Sequence, residues 1–103
     1  MRASFTSAIA FLGLAACVSE TPSADPYPFV GSWDCGVATF TFTNTTYNNG
    51  TDTYPIRFVA RDGRNYTLRL GDGSTIGLGL VTDTGLTWIS GATSDQFSCR
   101  RVN

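Results

Sequence analysis

The 103-residue sequence contains no histidine and no lysine, so its seven basic side chains are all arginine. Without histidine there is no imidazole general base and no Ser-His-Asp triad. Without lysine there is no Schiff-base or Ser-Lys mechanism. Zinc centres built on histidine are excluded, and a two-cysteine site would need further ligands. No cofactor is implied. The formal charge of −1 leaves no basic face for nucleic acid and no polybasic segment for anionic lipid. No apolar run reaches the roughly 20 residues that a membrane-spanning helix needs.

One shorter apolar run is present. AIAFLGLAA spans Ala8 to Ala16 without a charge and follows Arg2. This pattern marks residues 1–16 as an export signal, a helix removed on maturation. The signal ends in Leu14-Ala15-Ala16-Cys17, which resembles the lipobox of bacterial lipoproteins. The resemblance implies a diacylglyceryl group on Cys17, cleavage before it, and acylation (with palmitate or a similar chain) of the new amino group. Such an anchor holds firmly, because several acyl chains act together where one is marginal. The alternative is ordinary signal cleavage after Ala15, with Gly13 as the small residue upstream. The lipoprotein reading places the chain in the bacterial cell envelope. Val18 rather than Asp after the cysteine leans towards the outer membrane, on its periplasmic or surface face.

Lipidation of Cys17 leaves Cys35 and Cys99 as an even pair in an oxidising compartment, so a disulfide between them is expected. A bridge closing so long a loop stabilises by about 4 kcal/mol in the chain-entropy treatment. Residues 17–28 form the lipidated cysteine and a tether; Val18 to Pro28 is rich in proline and small polar residues. The folded domain is expected over 29–103.

From there the pattern has period two. Thr39-Phe40-Thr41-Phe42 alternates hydroxyl and ring; Tyr66, Leu68 and Leu70 alternate with Thr67 and Arg69; Ile76 and Leu78 alternate with glycines. Each is the mark of a strand with one buried face. Asp62-Gly63, Gly71-Asp72-Gly73, Asp83-Thr84-Gly85 and Gly91-Ala92-Thr93-Ser94 supply turns. The fold class is therefore all-β: a small antiparallel meander of about seven or eight strands, with spans 30–35, 37–43, 54–61, 65–70, 74–82, 86–90 and 96–102. A bridge from the first strand to the last suits a closed or nearly closed barrel, which removes exposed edges. A twisted open sheet is the alternative.

Few constellations carry chemistry, and no catalytic residue and no metal ligand is assigned. Asp83-Thr84-Gly85 matches the catalytic triplet of aspartic proteases, but an Asp-x-Gly between strands is the ordinary composition of a turn, with Asp capping and Gly at positive φ. Asp62, Asp72 and Asp83 read as solvated turn residues rather than calcium ligands. The segment 44–54 is amide-rich and carries two tyrosines. Asn44, Tyr47, Asn48, Asn49, Asp52 and Tyr54 make it a candidate binding loop for a glycan, against a plainer reading as a long hairpin connection.

Two further resemblances rest on short motifs. Gly31-Ser32-Trp33 with Arg100-Arg101 is similar to the Gly-x-Trp and late Arg of lipocalins, which implies an arginine packed across the tryptophan. The lipobox, Trp33-Asp34-Cys35, the Tyr66-Thr67-Leu68 strand and Cys99 together resemble the outline of C-type lysozyme inhibitors, β-barrel lipoproteins of the periplasm. That family's inhibitory pair is not carried over. Ser90-Gly91-Ala92 is similar to its Ser-Gly loop in letters, but the basic-aromatic pair that follows it there is missing. The expected function is a non-catalytic envelope lipoprotein that binds an envelope protein or glycan, and not nucleic acid. The alternatives are a lysozyme inhibitor and an envelope hydrolase that is glycan-active or of the aspartic type.

Overall fold

The computed structural model describes residues 25–102; the signal, the lipobox with Cys17 and the tether as far as residue 24 lie outside the described residues. Eight strands follow one another: β1 (Gly31–Asp34), β2 (Thr39–Phe42), β3 (Thr46–Asn48), β4 (Thr53–Asp62), β5 (Asn65–Leu70), β6 (Thr75–Gly79), β7 (Gly85–Ser90) and β8 (Gln96–Arg101). Each pairs antiparallel with the next, and β8 returns to β1, so the sheet is a closed barrel rather than an open one.

The strand missing from the sequence reading is β3. It lies inside the segment read as a connection, where Tyr47 sits between Phe42 of β2 and Tyr54 of β4. The expected strand over 74–82 also stops early. It ends at Gly79, because Leu80 turns into the left-handed region at φ 53°.

Alternation in the sequence becomes alternation in burial. Along β5 the residues read exposed then buried without a break, with Tyr66, Leu68 and Leu70 inside. Trp33, Phe29, Phe42, Leu68 and Leu78 are the largest fully enclosed side chains, and no polar or charged side chain is buried among the described residues. Each enclosed side chain of this kind stabilises the fold by roughly 1.5–3 kcal/mol. Ring contacts run through the interior from Tyr27 to Phe29, Phe42, Tyr47, Phe40, Trp88 and Phe97, each step between 4.9 and 5.7 Å. The interior is thus filled by the barrel's own side chains, as expected for eight strands. Tyr27, expected within the tether, belongs to this packing.

Barrel closure is short in backbone terms. β1 and β8 pair only through Trp33↔Arg101 and Asp34↔Arg100, whereas β4 and β5 pair from Ile56↔Leu70 to Asp62↔Asn65. Two side-chain devices reinforce the short seam. Cys35 and Cys99 form the expected disulfide, 64 residues apart in sequence. Arg101 lays its guanidinium 4.2 Å from the Trp33 ring centroid and donates hydrogen bonds to the carbonyl oxygens of Asp83, Val30 and Pro28 at 2.7, 2.8 and 2.9 Å. Trp33 in turn donates from its indole to the Phe29 carbonyl at 2.9 Å. The arginine–tryptophan stack expected from the sequence is present, and it is part of a larger clamp. Arg100 and Asp34 approach at 3.7 Å, but both are exposed and such a pair contributes little.

An antiparallel meander sends alternate turns to opposite ends. The β1–β2, β3–β4, β5–β6 and β7–β8 turns share one end, called here the four-turn end. The β2–β3, β4–β5 and β6–β7 turns share the other with residues 25–30.

Candidate ligand site at the cavity end

The β4–β5 connection is a two-residue hairpin loop. Asp62 and Asn65 are the last cross-strand pair, and Gly63 takes φ 65° between them. Arg61 precedes this loop and Arg64 lies within it, so two guanidiniums flank one glycine. Arg61 donates from Nε to the Gly63 carbonyl at 3.0 Å, and its guanidinium lies 5.9 Å from the Tyr66 ring centroid.

The β6–β7 loop is pinned against this hairpin. Leu80 gives its backbone N–H to Asn65 Oδ1 at 3.0 Å, and Val81 gives its own to the Arg64 carbonyl at 2.9 Å. Left-handed backbone costs a side-chain-bearing residue about 1 kcal/mol, and the Asn65 bond offsets it. The outcome is that Leu80 points to solvent, 66% exposed, while Val81 is buried. Between loop and hairpin lies a cavity of about 390 Å³, with Arg61, Arg64, Tyr66, Val81, Asp83 and Pro28 in its lining. That volume is at the small end of the range for ligand sites. Arg101 ties two of its walls together through the Pro28 and Asp83 carbonyls.

Asp83 lines this cavity, and its turn is built differently from the sequence reading. Thr82, not Asp83, caps the loop, since its Oγ1 accepts from the Gly85 N–H at 3.0 Å and the Thr84 N–H at 3.3 Å. Gly85 begins β7 and is not among the positive-φ glycines. The Thr82 hydroxyl closes this turn, so the Asp83 carboxylate takes no part in it.

The six residues proposed as a binding loop do not form one surface. Asn44 lies at the cavity end, where its amide donates to the Asp25 carbonyl at 2.9 Å and accepts from the Tyr27 N–H at 3.1 Å. Tyr47 is buried in the barrel. Asn48, Asn49 and Asp52 lie at the four-turn end. There Asn49 Oδ1 accepts from the Thr51 and Asp52 N–H groups at 2.9 and 2.8 Å, and Asn48 accepts from Gly50 while donating to Thr53. Tyr54 stacks on Tyr47 at 6.1 Å. The amides that suggested a glycan surface are committed to shaping their own loop.

Asp62, Asp72 and Asp83 do not converge. Asp72 is at the four-turn end, where its carboxylate accepts from the Ser74 hydroxyl and N–H, and these bonds lower its pKa. Ser90-Gly91-Ala92 is likewise structural. The Ser90 hydroxyl accepts from Ala92 and Thr93, and a Cβ on Gly91 would collide with the Thr75 carbonyl.

Tyr47 is the group whose ionisation shifts most. Burial pushes its hydroxyl up to about 12; the neighbouring Trp88 indole N–H, which completes no well-formed hydrogen bond, offsets part of this, and Tyr54 adds to it. A phenol of that pKa inside a ring stack is neutral at ordinary pH and serves packing.

Sequence reasoning missed the cavity. Arg61-Asp62-Gly63-Arg64 offered a signal, two cations on one hairpin tip, but nothing in the sequence brings Asp83 and Pro28 beside them. No protein-family model, no curated protein and no solved structure matches the chain.

Proposed function

We propose that the chain is a non-catalytic envelope lipoprotein, lipidated at Cys17, whose barrel serves as a rigid binding module. The observation that carries the binding-module reading is the contrast between interior and rim. The interior is packed with rings and aliphatic chains and holds no buried charge among the described residues. The rim carries a preformed concave site with charged walls. The lipid anchor rests on the Leu14-Ala15-Ala16-Cys17 motif. Incorporation of labelled palmitate that disappears in Cys17→Ser supports the anchor, and release of an unlabelled soluble protein overturns it. Peptidase activity that Asp83→Asn abolishes would overturn the non-catalytic reading.

A second reading, inhibition of a C-type lysozyme, is favoured by one observation. The chain is a closed eight-stranded barrel with a bridge joining the β1–β2 turn to β8, which is the outline of that family. Lysozyme whose activity is unchanged by excess purified protein removes this reading.

A further inference from the structure

We propose that the cavity at the β4–β5 and β6–β7 loops binds a small zwitterion, of the size of an amino acid or dipeptide, by holding its carboxylate between Arg61 and Arg64 and its ammonium at Asp83. This rests on the binding-module reading and names a ligand class for it; it does not depend on lipidation.

Three observations carry it. The first is charge of both signs on one small cavity, without neutralisation. Arg61, Arg64 and Asp83 all line it, and none of them forms an ion pair with another. Among the described residues the Arg64 and Asp83 side chains have no hydrogen-bond or ion-pair partner. Opposite charges that flank a cavity and do not collapse onto each other suit a ligand that carries both signs. A pure anion would leave Asp83 repelling it; a pure cation would face two guanidiniums.

The second is that the walls are set before any ligand arrives. The Val81 N–H bond to the Arg64 carbonyl fixes one loop against the other, and Arg101 fixes Asp83 and Pro28. A preformed site loses less ordering entropy on binding. The third is the turn at Leu80. Its left-handed backbone is held by the Asn65 amide oxygen, and the residues that follow, Val81 and Asp83, both line the cavity. The chemistry follows from the side chains. Arginine forks match carboxylate geometry, Asp83 accepts from an ammonium, and Tyr66 and Val81 give an apolar floor that weakens competition from water.

The test is an NMR titration of the full chain in neutral detergent, followed through the backbone amides of Gly63, Arg64 and Asp83. The probes are glycylglycine, acetate, methylammonium and inorganic phosphate. Glycylglycine is expected to shift these amides saturably and to bind at least about tenfold tighter than acetate or methylammonium, since each charge-assisted contact is worth that factor or more. Arg61→Gln with Arg64→Gln should abolish binding. Asp83→Asn should reduce glycylglycine to the level of acetate and leave acetate itself no weaker. All three side chains are exposed, so the variants should remain folded, with Arg64→Gln and Asp83→Asn melting as the parent does and Arg61→Gln slightly below it through its lost bond to Gly63. Absence of saturable shifts overturns the proposal. So does equal affinity for phosphate or acetate, or an Asp83→Asn variant that still prefers the zwitterion. If glycylglycine fails to bind while the parent protein still captures an envelope partner, the binding-module reading stands and this site falls alone.

Discussion

The two ends of the barrel use the same kinds of side chain for opposite purposes. At the four-turn end each connection is closed by a polar side chain acting on its own backbone. Asp34 accepts from the Gly36 N–H, Asn49 from Thr51 and Asp52, Asp72 from Ser74, and Ser90 from Ala92 and Thr93. At the cavity end uncharged side chains do that work, Thr43 for β2–β3, Thr82 for β6–β7 and Asn65 for Leu80. That frees Arg64 and Asp83. Polarity alone therefore does not mark a binding surface. The four-turn end also keeps unclaimed carboxylates, on Asp52 and Asp95; the cavity end differs in gathering charges of both signs on one cavity.

The largest effect is expected at the seam on which both ends depend. Reduction of Cys35–Cys99, or the double change to alanine, should cost about 4 kcal/mol, read by denaturant unfolding with and without reductant. Free-thiol labelling of the unreduced native protein should find neither cysteine. Arg101→Ala should follow at about 3 kcal/mol, because three carbonyls and the Trp33 face lose their partner together. Arg101→Lys should recover part of the stack but not the fork, and both variants should loosen the cavity walls.

A pH effect comes next. Burial favours the neutral phenol of Tyr47, so the unfolded chain gives up that proton first, near its ordinary value of 10.0. The stability contributed below that pH is withdrawn as the pH rises to about 12, by up to about 2 kcal/mol. Tyr47→Phe should flatten this decline in a melting series; an unchanged slope would mean that the hydroxyl is not sequestered.

Smaller effects separate the two ends directly. Asn49→Ala and Asp72→Ala at the four-turn end should each cost about 1 kcal/mol, since each leaves backbone N–H groups without their acceptor. Arg64→Gln and Asp83→Asn at the cavity end should change stability by less than about 0.5 kcal/mol. Equal costs at both ends would mean that the two ends do not differ in this way.

Much of the fold was legible in the sequence because its strands bury one face. Thr39–Phe42 and Asn65–Leu70 show the alternation directly. The disulfide was legible from cysteine parity, and the Trp33–Arg101 stack from two short motifs. β3 was not, because three residues with a single buried tyrosine generate no period, and the surrounding asparagines carry turn chemistry. The site was less legible than the fold. Asn48 and Asn49 drew attention by composition, yet composition does not reveal which amides the backbone has already claimed. Arg61, Arg64 and Asp83 come from two loops that meet only when β4 through β7 have paired in register.

The seam between β1 and β8 also sets a schedule. Trp33 and Arg101 are partners across almost the whole folded length of the chain, so this pairing is the least local in the molecule. A chain that is delivered N-terminus first can zip its hairpins one after another, but it remains a sheet with two raw edges until residues 96–101 arrive. The cavity shares that fate, because two of its walls are held by Arg101. The cavity therefore cannot exist in a half-made barrel; it is completed by the same stroke that makes the molecule safe from edge-to-edge aggregation.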